Sequence, residues 1–330
     1  MKHNQTLTIA ALLLVPLLAF SQVRLHKPQH FSKQLPAGNY SGIAPLGSDR
    51  YAVVSDKSVE DGFFIFRLRI DTLKGKILEA SNEGFYSCGL KNRDMEAVVF
   101  RPSTNTLFIS GETDNEVFEY ALNGRRTGKR LQMPDCFKQA SRNVGLESLA
   151  YDTLAHRFYT TSEHTLKGDS LLRIQSFDDQ LRPQRQYLYC PDGPISQKYF
   201  HGVAELCATG NGKLLILERQ IRVPRLKIGA KTIIRIYEVT PSEDVFLTKT
   251  LVTEFKTRIN LFSRRFANYE GLCMPFNGWL LLVADSQDQS HGLLRDWFRL
   301  ISIPNERKLR MRTSIGLYMQ QRNRLNYLKL

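Results

Sequence analysis

The residues best suited to chemistry recur in five short phrases. An acid, or in one case a serine, opens an apolar run at Ser41, Glu96, Glu147, Glu205 and Glu270; a second apolar run, 13 to 16 residues later, ends in Asp56, Glu112, Glu163, Glu218 or Asp285. If the fold gathers these nine carboxylates, repulsion and desolvation disfavour the fully ionised set. They must then hold protons, find basic partners or bind a cation. Ligands offering only oxygen, with no Cys pair or paired-His spacing beside them, favour Ca²⁺, with Mg²⁺ as the alternative, over zinc or copper. The metal ligands expected on this ground are Glu96, Glu147, Glu205, Glu218, Glu270 and Asp285. A plainer role is open to each of them, because repeated acids can also cap backbone amides between neighbouring units.

Basic and imidazole groups accompany the acids. Lys57, His164 and Arg219 each directly follow a run-ending acid, Arg93 lies three residues before Glu96, and His201 four before Glu205. Lys57, Arg93 and Arg219 suit an anionic substrate such as a phosphate ester, and His164 or His201 could protonate a leaving group. Pairing with neighbouring acids is the competing role for the basic residues. Because Ser41 stands where the other phrases have Glu, and Lys57 follows Asp56, this sector is expected to be the least negative and the side from which an anion approaches. Other chemistries are excluded: there is no G-x-S-x-G, no H-E-x-x-H, and Gly124–Lys129 is one residue short of a P-loop and lacks its Ser/Thr.

Positioning nine acids on one rim requires a repeating scaffold. After each pair of apolar runs comes a third, alternating run (63–70, 117–122, 171–177, 232–239, 297–303) and then a weaker fourth, with unit starts 51 to 65 residues apart. Four short strands per unit read as an all-β propeller of four-stranded blades, with five visible repeats and five or six blades. Residues 22–39 would close the ring or begin a sixth blade, residues 40–320 form one propeller domain, and 321–330 a basic extension. The outer strand of the last blade is expected from the basic segment 307–329. First-strand starts and second-strand ends share one face of such a fold, so all the acids meet at one funnel. His156 falls at the opposite turn and should be structural. The Asn211-Gly212 and Asn277-Gly278 pairs suggest two-residue hairpins, which would set Glu205 opposite Glu218 and Glu270 opposite Asp285.

Composition bounds the partners. The chain has 330 residues and a formal charge of +14, but Leu12–Phe20 is an apolar core too short to span a bilayer and is followed by Ser21, two residues after Ala19. Residues 1–21 therefore read as a secretory signal, which puts the mature protein in the periplasm or outside the cell, without a transmembrane segment and away from nucleic acid. Five scattered cysteines with no CxxC pair read as small core residues with at most one bridge. A monomer with a small anionic substrate is expected, with the basic tail able to associate weakly with anionic surface polymers.

Ser-Gly-Ile with Val-Val-Ser-Asp, Glu-Ser-Leu-Ala-Tyr-Asp at 147–152, Ala-Glu-Leu with Leu-Ile-Leu-Glu-Arg at 204–219, and Glu-Gly-Leu with Leu-Val-Ala-Asp at 270–285 together resemble the phytase-like (esterase-like activity of phytase) family of exported bacterial propellers. The resemblance spans about residues 40–305 and implies a propeller with Ca²⁺-dependent phosphoric ester hydrolysis. The function expected is thus metal-assisted hydrolysis of a phosphate ester or other ester. The alternative is a non-catalytic exported propeller that binds a ligand or partner in the same funnel.

Overall fold

A computed structural model describes residues 22–138, 140, 145–225, 228–260, 263–286 and 294–303. The signal-like residues 1–21 and the basic tail lie outside them. The chain is a five-bladed propeller of antiparallel sheets. Blade 1 is β2 (Tyr40–Gly47), β3 (Arg50–Ser55), β4 (Glu60–Asp71) and β5 (Lys76–Lys91); blade 2 is β6 (Met95–Arg101), β7 (Thr106–Gly111), β8 (Glu116–Ala121) and β9 (Arg126–Arg130). After a short helix, α1 (Asp135–Lys138), blade 3 comprises β10 (Leu146–Asp152), β11 (Arg157–Ser162), β12 (Leu172–Phe177) and β13 (Pro183–Tyr189). Blade 4 has β14 (Phe200–Ala208), β15 (Leu214–Arg222), β16 (Lys231–Val239), β17 (Thr250–Asn260) and an added β18 (Ser263–Arg265). Blade 5 has β19 (Asn268–Phe276), β20 (Trp279–Asp285) and β21 (Phe298–Ser302).

Ring closure involves the segment before blade 1. Among the described residues the strand outside β21 is the N-terminal β1 (Arg24–Leu25), paired through Arg24↔Ser302 and Leu25↔Ile301, and the expectation for 307–329 lies outside the described residues. Residues from the two ends of the chain thus share a sheet, and no sixth blade is needed.

Burial explains the hydropathy pattern. Inner strands are covered on both faces by neighbouring blades, so β3 and β20 are buried almost throughout and read as continuous apolar runs. The outer strands β5 and β9 face water and are polar. Apolar clusters fill the seams. Tyr40 and Phe66 of blade 1 pack with Leu281 and Phe298 of blade 5, and Phe108 of blade 2 meets Phe158 of blade 3 at 4.6 Å between ring centres. Each such fully buried side chain contributes roughly 1.5–3 kcal/mol. All five cysteines are free.

The expected register does not hold. Glu205 pairs with Leu217 and Glu218 with Val203; Asp285 pairs with Asn268, while Glu270 falls within a bulge between Tyr269 and Gly271. Two local causes account for this. In blade 4 the connection runs from Ala208 to Leu214, with Gly210 and Gly212 at positive φ but not Asn211, so it is longer than a two-residue turn. In blade 5 Phe276↔Trp279 does close a two-residue turn, but bulges between Cys273 and Phe276 and between Tyr269 and Gly271 each slip the ladder.

Candidate functional site

Every blade carries a bulge near the start of its first strand, and the bulges define which residues are equivalent. They fall between Tyr40 and Gly42, Met95 and Val98, Leu146 and Ser148, Val203 and Glu205, and Tyr269 and Gly271. The residues that follow the first pair of each bulge are Ser41, Glu96, Glu147, Ala204 and Glu270. Opposite, the second strands lead into Asp56, Glu112, Glu163, Arg219 and Asp285. Blade 4 is therefore displaced by one position from the sequence alignment: Ala204 and Arg219, not Glu205 and Glu218, occupy the rim. The spacing between rim residues becomes 15 or 16 in every blade, and the outlying 13 of blade 4 disappears.

Seven carboxylates and one guanidinium thus converge on this mouth. Five of the acids have partners. Asp56 meets Lys57 Nζ at 2.9 Å, Glu112 accepts from the Gly145 N–H at 3.0 Å, and Glu163 accepts from Arg219 at 2.9 Å. Glu270 accepts from Arg219 and from Asn268 (2.7 Å), and Asn268 also donates to Asp285 at 3.2 Å. Glu96 and Glu147, 8% and 6% exposed, have no hydrogen-bond or ion-pair partner among the described residues. Burial raises both well above the usual carboxylate range. The neighbouring Glu147, Glu270, Asp56 and Glu112 add to this at Glu96, and Glu163 and Glu270 at Glu147, where Arg219 opposes them. Glu270 is pushed up to about 8, mainly by burial, and Asp56 to about 6, where burial outweighs Lys57.

Asp94, absent from the expected set, completes the tightest group. Ligand oxygens of Asp56, Asp94 and Glu96 all lie within 4.8 Å of one another. Asp94 sits at φ 59° just before β6, and its side chain accepts from Lys57 Nζ at 3.2 Å. Its sequence signal was only its place two residues before Glu96. Lys57 also lines a cavity of about 320 Å³ between blades 1 and 5, with Gly38, Asn39, Ser55, Ser58 and Ser286. Ser41 donates to the Met95 carbonyl at 2.6 Å, bridging blades 1 and 2.

The other expected site residues lie elsewhere or act differently. Glu205 is buried and accepts from the Leu149 and Leu206 N–H groups at 3.0 Å each, capping blade 3 from blade 4. Glu218 points to the other side of β15, where Tyr189, Lys249 (2.8 Å) and the Asp192 N–H (2.9 Å) satisfy it. Arg93 is spent on Asp61 (3.3 Å), Asp114 (2.7 Å) and Tyr120, inside the seam of blades 1 and 2. His164 borders the mouth: its Nε2 is buried without a hydrogen-bond partner, 4.0 Å from Glu163, and its ring meets that of His201 at 5.6 Å. Burial lowers the His164 pKa, His201 and Arg219 push the same way, and Glu163 opposes. His156 lies at the opposite turn, 3.4 Å from the Tyr151 hydroxyl. At that opposite mouth a cavity of about 330 Å³ is lined chiefly by apolar residues, among them Pro45, Phe100, Tyr151 and Met274. It contains none of the acids above.

Among the described residues no helix is long and apolar enough to cross a membrane. The solved structures that this fold resembles include a streptogramin B lyase (12% identity, 86% of this chain and 98% of that one, TM-score 0.40). Others are a glucose dehydrogenase (10%, 84% and 99%, TM-score 0.44) and the PQQ-bound form of an aldose sugar dehydrogenase from Streptomyces coelicolor (9%, 85% and 98%, TM-score 0.43). A search of curated proteins found no match. The sequence model described as phytase-like, esterase-like activity of phytase, matches residues 35–287, from the segment before β2 through the end of β20. With the acid-bearing strands of all five blades inside that match, the chain belongs to the phytase-like family.

Proposed function

We propose that the acidic mouth hydrolyses an ester, a phosphate ester foremost, with a hard divalent cation, Ca²⁺ or Mg²⁺. One observation carries this reading: Glu96 and Glu147 are buried carboxylates without a partner among the described residues. Acids in that position favour a positive charge beyond that of the Arg219 guanidinium, which acts on Glu147 without pairing with it. Glu96 would hold the ion with Asp56 and Asp94, whose oxygens already lie within 4.8 Å of one another, and with Glu147 beside them. Glu270 and Asp285 would supply further negative potential. When bound, such an ion neutralises substrate charge and polarises the ester.

The chain's own residues do the rest. Lys57 remains protonated because the Asp56 and Asp94 carboxylates outweigh its burial, and its half-exposed ammonium faces an anion entering the adjoining cavity. His164, kept toward its neutral form by burial, borders the same mouth and could exchange a proton with a substrate that reaches across it. Glu163, at 4.0 Å, would stabilise the imidazolium that forms. Membership of the phytase-like family supports the reaction class, and the signal-like residues 1–21 support an exported enzyme. Turnover of p-nitrophenyl phosphate, phytate and short acyl esters should be measured with Ca²⁺, Mg²⁺ and EDTA. Ion-dependent turnover that is lost in Glu96→Gln/Glu147→Gln is expected; no turnover of any substrate with either ion would overturn the proposal.

A further inference from the structure

Blade 4 breaks the acidic ring twice. At the bulge it has Ala204 where blades 2, 3 and 5 have Glu, and at the end of its second strand it has Arg219 where the other four blades have Asp56, Glu112, Glu163 and Asp285. Only here does the rim position carry a positive charge. The Arg219 guanidinium is 7% exposed and reaches across both seams, to Glu163 of blade 3 at 2.9 Å and to Glu270 and Asn268 (3.0 Å) of blade 5. Glu147, buried and unpartnered, lies within its field. A guanidinium so placed has few donors left for a substrate: among the described residues only its buried Nε lacks a partner.

We propose that Arg219 is a built-in counter-cation that fills what would otherwise be a second divalent-cation site, formed by Glu147, Glu163 and Glu270. By neutralising the blade 3–blade 5 side of the mouth it confines an incoming ion to the opposite side, by Glu96, Asp56 and Asp94. The role of Arg219 is then positioning, through the acids, and not the gripping of substrate. The native site in this picture rests on the proposed function above; the concealed site does not. Three groups argue for it. Glu163 and Glu270 already converge on one group; that group is cationic; and Glu147, more than nine-tenths buried, has no hydrogen-bond or ion-pair partner among the described residues and feels the guanidinium only at longer range.

The test counts Ca²⁺ bound per chain by equilibrium dialysis of the full-length protein and follows melting with EDTA and with saturating Ca²⁺. Arg219→Met, and the more conservative Arg219→Gln, should bind one more ion than the parent. They should also melt lower than the parent in EDTA and recover with Ca²⁺. Arg219→Lys, which restores the charge, should bind as the parent does; a merely structural arginine would alter melting without altering this count. The inference is overturned if the folded Met and Gln variants bind no additional ion. It is equally overturned if neither folds at saturating Ca²⁺, since an ion replacing the guanidinium must restore the charge balance. If the parent binds none and the variants one, this inference stands while the cation-dependent function falls; if all bind one, the reverse holds.

Discussion

Two buried acid sites in this protein solve the same problem in opposite ways. Asp61, fully buried in the seam of blades 1 and 2, is saturated: the Tyr120 hydroxyl lies 2.7 and 2.8 Å from its two oxygens, and Arg93 and Arg126 both pair with it. The two guanidiniums in turn lie over the Phe118 ring at 4.7 and 4.3 Å. At the acidic mouth, Glu96 and Glu147 are nearly as deep, yet no described group donates to them. The first arrangement spends its charges on joining blades. The second leaves negative potential uncompensated, a cost that folding alone gives no reason to keep. The difference distinguishes acids committed to joining blades from acids with no donor among the described residues, where burial by itself does not.

The largest expected effect breaks the saturated site. Asp61→Ala leaves the buried Arg93 and the partly buried Arg126 without their shared partner and should cost about 3–5 kcal/mol in urea unfolding, while the response of melting to Ca²⁺ stays as in the parent. A loss below ~1 kcal/mol would show that the seam does not depend on this network. The next effect belongs to the mouth. Asp56 has a folded pKa of about 6 against an ordinary 3.8, so between these values the folded protein keeps a proton that the unfolded chain has released, and stability falls as pH rises. A shift of that size corresponds to about 3 kcal/mol. The raised Glu96, Glu147 and Glu270 act in the same direction and extend the fall upward; His164, with its lowered pKa, works against it below the ordinary 6.5. In EDTA the melting temperature should therefore drop from about pH 5 to about pH 8, and Ca²⁺ should stabilise more at the higher pH. A Ca²⁺ effect that grows on acidification would contradict the assignment.

Smaller effects sharpen the contrast. Glu96→Gln/Glu147→Gln removes two uncompensated charges and should stabilise the EDTA-treated protein by about 1–2 kcal/mol above neutral pH. The same variant should lose the ion's contribution, which for a site held at 100 times its Kd is about 2.7 kcal/mol. Melting curves with and without Ca²⁺ measure both. The smallest effect is expected at Glu205→Gln: the amide oxygen can still accept from the Leu149 and Leu206 N–H groups, so stability should move by less than about 1 kcal/mol and the Ca²⁺ response should be unchanged. A lost response would return Glu205 to the ion's surroundings.

Five repeated units, seven of the nine expected rim acids and the face on which they gather were legible in the chain, because a blade's inner strands need continuous apolar runs and its turns need particular residues. So were Glu96, Glu147 and Glu270 as members of the rim. The partner of each acid was not. Side-chain direction alternates along a strand, so a single bulge or a longer turn reverses it; the slip in blade 4 sends Glu218 to Tyr189 and Lys249 and brings Arg219 to the rim. A spacing of 13 in a series of 15 and 16 was the trace of that slip in the sequence. Asp61 with Arg126, and Asp94 with Lys57, join residues 65 and 37 positions apart, and no local pattern announces them. By itself the sequence determined the blade, its repeat and the acidity of one mouth, since these follow from local hydropathy and turn chemistry. Only the tertiary structure decided which acids are neutralised and which are left exposed to an incoming charge, because compensation depends on distances of a few ångströms between groups that different blades contribute.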